Sequence, residues 1–215
     1  MEENIAILMA DLSGYTALTE THGPVSAADL IDKYVEIVEG CLVGDSRLQE
    51  RTGDEVMIVS KSSDSLLASA YQIMKATSGE DNFLQVHGGL HYGNVLKRRD
   101  SYFGSSINLT SRIASKADPG TFWCSEEFVN SLSDKSLVQM HPKGKHSFKN
   151  VSGDWAMYEM RSDDKKSFFI DSVCKMMILD TNKAVKHPTS EDTFFCSAAC
   201  LDIFLKNRTT NSRID

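Results

Sequence analysis

Residues 5–10, IAILMA, form an unbroken apolar run with two isoleucines and predict a buried first strand. The following Ser13-Gly14 pair predicts a turn. Leu30, Ile31, Tyr34, Val35, Val38 and Cys41 then recur at helical spacing, which predicts a helix over 27–41 capped by Ser26. Val56 to Val59 reads as a strand paired, across a Thr52-Gly53 turn, with another near 46–51. Leu66, Leu67, Ala70, Ile73 and Met74 predict a helix over 64–77. Further strands are expected at 83–91, near 95–96, at 121–124 and at 154–160, with helices at 107–117 and 125–132. Strands and helices alternate with tight hairpins, so the expected class is α+β, an α/β sandwich with a mostly antiparallel sheet.

Composition narrows the function. The chain has 215 residues, 41% of them apolar, which suits one ordinary domain plus a small appendage. A net charge of −7 argues against general nucleic-acid binding, because nothing neutralises phosphate in bulk. No apolar run approaches the roughly 18 residues of a membrane span. The acidic MEEN start is unlike a signal peptide. A cytoplasmic protein with no nucleic-acid or membrane partner is expected. Five cysteines, an odd number, argue against a disulfide framework there.

Candidate chemistry begins with two aspartates in matching settings: Asp11 in IAILMADLSGYT and Asp54 in RTGDEVMIVS. Each stands at the edge of a β-like segment beside turn-forming residues. Together they would suit a hard divalent cation near phosphate; equally, each could be an ordinary turn aspartate. Gly14, between Ser13 and Tyr15-Thr16, lets backbone approach a ligand closely, and N–H groups after a strand can cradle phosphate. Asn108 and Arg112 lie one turn apart on a predicted helix and share a face. Such a pair suits charge accumulating on phosphate and ribose oxygens, although it also describes a solvated face. His87 and His91 flank Gly88-Gly89-Leu90 and are read as packing or hydrogen-bonding residues rather than ligands.

Taken in order, ADLSGYT, TGDEVMI, VHGGLHYGNV and YFGSSINLTSRIASKADPGTFWCSEEF resemble the class III nucleotidyl cyclase catalytic domain over residues 4–160. The resemblance implies a ferredoxin-like fold acting as a head-to-tail homodimer that makes a 3′,5′-cyclic nucleotide and pyrophosphate from ATP or GTP. It implies that Asp11 and Asp54 hold two Mg²⁺ or Mn²⁺ ions. Asn108 and Arg112 match its transition-state pair, and Lys149 in GKHSFKNV is the match for its phosphate lysine. The metal pair and the Asn/Arg pair of each site would come from different subunits, giving two equivalent composite sites.

Two base-reading positions depart from the adenylyl cyclase pattern. Glu50 stands where those enzymes have Lys, and it resembles the guanylyl cyclases there. A carboxylate accepts from guanine N1–H and the 2-amino group, whereas an ammonium suits adenine N1. Ser101, with Asp100 beside it, stands where Asp is usual and does not choose between bases.

Cys174, Cys196 and Cys200 form a second cluster. Cys196 and Cys200 would share a helix face, and thiolates so gathered suit Zn²⁺ or another soft metal. Three reduced cysteines in an apolar cluster would have the same pattern. IDSVCKM and FFCSAACLDIF resemble the YHS/TRASH family of metal-associated domains over 168–206, with Lys175 where that family often has Gly. His187 or Asp171 is the candidate fourth ligand. The expected organisation is a cyclase domain at 1–160, a linker at 161–167, the cysteine-containing module at 168–206 and a disordered tail at 207–215. A nucleotide-binding or metal-sensing module with little turnover is the alternative function.

Overall fold

The structure is a computed structural model that describes residues 1–136, 138–161 and 169–211. Strand β1 (Glu2–Leu12) explains the unbroken apolar run: it is central and buried on both faces. Ala6, Leu8, Ala10 and Leu12 face one core, while Ile5, Ile7 and Met9 face another. This is the pattern of a strand covered on both sides, since side chains alternate between faces.

Helix α1 (Tyr15–Gly40) follows β1, then the β2 (Arg47–Thr52) and β3 (Glu55–Ser60) hairpin, then α2 (Ser63–Ser78). β4 (Val86–Arg98) turns into the short β5 (Ser101–Phe103), and α3 (Ser105–Ala114) leads to β6 (Thr121–Ser125). α4 (Glu126–Asn130), β7 (Met140–Ser147) and β8 (Asp154–Arg161) complete the main unit. The sheet order is β2-β3-β1-β4-β6-β8-β7, with β5 on β4. All pairings are antiparallel except β4–β6. The α+β class with a mostly antiparallel sheet is therefore observed.

Three elements differ from expectation. α1 begins at Tyr15, not after Ser26, and breaks at Gly23 (φ 81°, ψ 172°), with Pro24 restarting it. Proline fits the first turn of the second piece, where its missing N–H is no loss. β4 is continuous, because Gly93 is no turn: it pairs with Ile5 in the ladder. A methyl there would lie 2.5 Å from Ser106 Oγ and 2.6 Å from His91 Nε2, so glycine makes room for packing. β7 was not expected, since MHPKGKHS has no alternation; it is an edge strand with a bulge between Pro142 and Gly144.

Gly89 sets the distance of α3 from the sheet. A methyl there would meet the Ala114 nitrogen at 2.4 Å and the Thr110 carbonyl at 2.8 Å, both backbone atoms. No larger residue could keep α3 this close.

The C-terminal segment has β9 (Phe169–Ile170) paired with β10 (Met177–Ile178), β11 (Val185–Lys186) paired with β12 (Phe194–Phe195), and α5 (Ala198–Asn211). It is stitched to the main unit: Asn82 N donates to Met177 O (2.9 Å), Met177 N to Phe83 O (2.7 Å), and Leu179 N to Asp81 Oδ1 (2.9 Å). Met177 is buried in the main core. Residues 207–211 are helical where a disordered tail was expected. Residues 212–215, and the linker from 162 to 167, lie outside the described residues. Among the described residues, no helix is long and apolar enough to cross a membrane.

Candidate active site

β1 carries Asp11 to the α3 side of the sheet, opposite His87 in the β4 register. The β2–β3 hairpin turns at Gly53, whose φ of 64° suits glycine, and delivers Asp54 to Asp11. Both carboxylates are half-buried. Burial, the contact with Asp11 and repulsion from it push the Asp54 carboxyl up to about 7. Without a cation the pair therefore keeps a proton near neutrality. A divalent cation in that place would satisfy both groups, so the donor set fits one. Burial and the charges of Asp54 and Glu50 also raise Glu55.

The turn after Asp11 is fixed from two sides. Ser13 N donates to Gln85 O (2.8 Å), and Ser13 Oγ lies 2.9 Å from His87 Nδ1. Gly14 adopts φ 95°, and the first N–H groups of α1 have no side-chain cap. Tyr15 leans into the main core and Thr16 is exposed. His87 thus orders the turn. His91 is buried, with Nδ1 2.8 Å from Ser125 Oγ and its ring edge-on to Trp155.

A cavity of about 260 Å³ opens beside this end of the sheet, lined among others by Glu50, Thr52, Tyr102 and Asn108. Asp11 and Asp54 do not line it. Glu50 sits at a bulge in β2 and is exposed. Ser101 is exposed and does not line the cavity, while its neighbour Tyr102 does, because adjacent strand residues face opposite ways. Arg47 holds the Tyr102 hydroxyl at 2.7 Å. Sequence reasoning missed Tyr102, and only the unforeseen β5 reveals its direction. Asn108 and Arg112 are both exposed on α3. Lys149 is exposed in the β7–β8 turn, whose Phe148 and Val151 share an apolar cluster with Leu109 and Ile113 of α3.

The structure brings Cys174, Cys196 and Cys200 together, and it adds His22, the last residue before the α1 break. Neither expected fourth ligand joins them. Buried Asp171 accepts from the backbone of Val173 (2.8 Å), Cys174 (3.3 Å) and Cys196 (2.8 Å), so it shapes the cysteine loops. His187 Nδ1 accepts from Thr189 N at 3.2 Å, and its ring lies edge-on to Phe204. Lys175 adopts φ 67°, so the turn keeps the left-handed geometry that glycine would give. His22 carried no sequence signal, being one of six histidines and far from the cysteines.

Residues 1–170 match the family profile described as the adenylate and guanylate cyclase catalytic domain. An uncharacterized protein of Mycobacterium tuberculosis is 35% identical over 126 residues, 58% of this chain and 33% of that protein. An adenylate cyclase of Glutamicibacter nicotianae is 25% identical over 77% of this chain and 41% of its own length. The chain thus spans well under half of these curated relatives. Among solved structures, an adenylate cyclase of Trypanosoma brucei in its monomeric state matches with TM-score 0.71 and 19% identity, over 82% of this chain and 93% of that one. The guanylate cyclase domain of RhGC from Catenaria anguillulae, in complex with GTP, matches with TM-score 0.60 and 17% identity, over 75% and 98%.

Proposed function

Because this chain belongs to the adenylate and guanylate cyclase catalytic domain family, we propose that it is a cytoplasmic, homodimeric purine nucleotide cyclase. It would convert ATP or GTP into the 3′,5′-cyclic nucleotide and pyrophosphate. The observation that carries this reading is the Asp11–Asp54 carboxylate pair beside the uncapped start of α1.

Asp11 and Asp54 would hold two Mg²⁺ or Mn²⁺ ions. When bound, such cations acidify the ribose 3′-hydroxyl and neutralise the leaving pyrophosphate. The Ser13-Gly14-Tyr15-Thr16 turn binds phosphate through backbone N–H groups, with Ser13 steadied by His87. Glu50 accepts from the base, and Tyr102 closes the same cavity. Asn108 and Arg112 reach the nucleotide held by the other subunit's aspartates and stabilise negative charge as the 3′-oxygen attacks. Lys149 adds a cation for phosphate. Asn108 and Arg112 are exposed on α3, where a second chain can reach them, which supports a site assembled from two chains. Glu50 favours guanine, while the relatives named adenylate cyclase favour ATP. The cysteine segment is read as a YHS/TRASH-like module.

A second reading, nucleotide binding with little turnover, is favoured by one contact. Lys175 of the C-terminal segment lies directly over Gly14. Incubation of the purified dimer with Mn²⁺ and ATP or GTP decides between them. Cyclic product supports the cyclase; bound nucleotide without product from either substrate overturns it.

A further inference from the structure

We propose that His22, Cys174, Cys196 and Cys200 form a closed four-coordinate site for a zinc-class divalent cation, and that the cation clamps the C-terminal segment to the start of α1. Metal binding by this site does not depend on the cyclase reading.

The argument begins with geometry. Cys196 Sγ lies 3.5 Å from Cys174 Sγ and 3.6 Å from Cys200 Sγ. His22 Nε2 lies 3.5 Å from both Cys196 and Cys200. All four ligand atoms fall within 4.8 Å of one another. A tetrahedron with zinc–sulfur bonds of about 2.3 Å and a zinc–nitrogen bond of about 2.0 Å has sulfur–sulfur edges near ~3.8 Å and sulfur–nitrogen edges near ~3.5 Å. Four of the six edges are close to those values, and the remaining two, from Cys174 to Cys200 and to His22, are no longer than 4.8 Å. Apolar clustering of thiols would not require an imidazole nitrogen aimed at two sulfurs.

The surroundings are those of a built site. Asp171 accepts from the backbones of Cys174 and Cys196, fixing both loops around the sulfurs. Ser197 Oγ accepts from Cys200 N at 3.3 Å and holds the first turn of α5 beside the thiols. Phe195, Phe204 and Val185 wall the cluster. Four protein ligands leave no position for water or substrate, which marks a structural or regulatory centre rather than a catalytic one.

The site has mechanical reach. His22 ends the first piece of α1, immediately before the Gly23 break. Gly14, at the other end of that piece, is covered by Lys175, one residue from Cys174: a methyl built on Gly14 would sit 2.6 Å from Lys175 Cβ. The C-terminal segment therefore grips residues 15–22 at both ends, one grip being the cation. That the gripped turn binds phosphate rests on the cyclase reading; the grip itself does not.

The test uses the full chain, reduced, with Zn²⁺ in competition with a chromophoric chelator and with Co²⁺ as a spectroscopic probe. One equivalent of tightly bound Zn²⁺ is expected, and Co²⁺ should show intense tetrahedral d–d bands with sulfur charge transfer. His22→Ala should weaken Zn²⁺ binding about 100-fold or more. His22→Cys should restore binding and strengthen the charge-transfer band. Hydrogen exchange over residues 15–22 should slow on Zn²⁺ addition in the wild type but not in His22→Ala. An unchanged Zn²⁺ affinity and Co²⁺ spectrum in His22→Ala would overturn the ligand assignment. Tight Zn²⁺ binding with no change in exchange over 15–22 would overturn the clamp. Neither readout uses nucleotide, so failure of the cyclase reading leaves both intact.

Discussion

Lys175 lies across Gly14, so that a Cβ on the glycine would come within 2.6 Å of the lysine Cβ and 2.8 Å of its Cγ. Both residues have positive φ, 95° at Gly14 and 67° at Lys175. Gly14→Ala should therefore destabilise the chain through two separable effects, the left-handed backbone and the clash. The backbone effect alone costs about 1–2 kcal/mol. Lys175→Gly in the same background should recover the clash portion and leave the backbone portion. Urea midpoints for the two single variants and the double variant measure the coupling; simple additivity would contradict the contact.

Composite sites make a quantitative prediction. Asp11→Asn and Asn108→Ala homodimers should each be inactive, having lost one half of every site. Mixing them in equal amounts, with subunit exchange, should restore about a quarter of wild-type cyclase activity. Half of the dimers are then mixed, and each mixed dimer has one intact site of two. No recovery in a sample shown to exchange subunits would refute assembly in trans.

Glu50 should set the base. Replacing its acceptor with a donor, Glu50→Lys, should move the ratio of kcat/KM for ATP over GTP towards ATP by about tenfold or more, the value of one hydrogen bond to a charged group. Equal losses with both nucleotides would show that Glu50 does not face the base.

His91 gives the fold an acid limit. Burial lowers its pKa from 6.5 to about 4. The unfolded chain therefore binds the proton more readily than the folded one. The stability contributed by the neutral buried ring is fully present above pH 6.5 and is lost as pH falls towards 4, on the order of 3 kcal/mol in total. Urea unfolding from pH 7 to 4 should show this loss in the wild type, and a smaller one in His91→Gln, whose amide can still meet Ser125.

Much of the fold was legible because its central strand is covered on both faces. IAILMA could hardly be anything but an interior strand, and the Thr52-Gly53 hairpin announced itself by residue type. What sequence obscured has physical reasons. The apolar period is clear only over 27–41, so the first piece of α1, ahead of the Gly23 break, was not foreseen. Strands at 83–91 and near 95–96 read as two, but Gly93 joins them in one ladder and leaves room for His91 and Ser106. β7 is an edge strand whose side-chain links to β8 are polar, Ser147 to Asp154 and Lys143 to Glu159, so no apolar period marks it. The structure brings the Asp11 and Asp54 carboxylates into contact, and their strand-end settings were legible. Tyr102 and His22 were not: one depends on which way a three-residue strand faces, the other on a contact across nearly the whole chain.

That last contact has a consequence for the unfolded chain. His22 and Cys196 are 174 positions apart, so a shared ion would turn most of the polypeptide into a ring. Cross-links over loops of this size remove on the order of 5 kcal/mol of chain entropy from the unfolded ensemble, provided the link persists there. An ion that dissociates on unfolding acts instead by mass action and stabilises in proportion to the logarithm of its free concentration. In the first case residues 22 and 196 stay tied after the fold is lost; in the second they separate with it. In the first case a proteolytic nick in the surface loops between them would leave two fragments still joined after denaturation, until the ion is withdrawn.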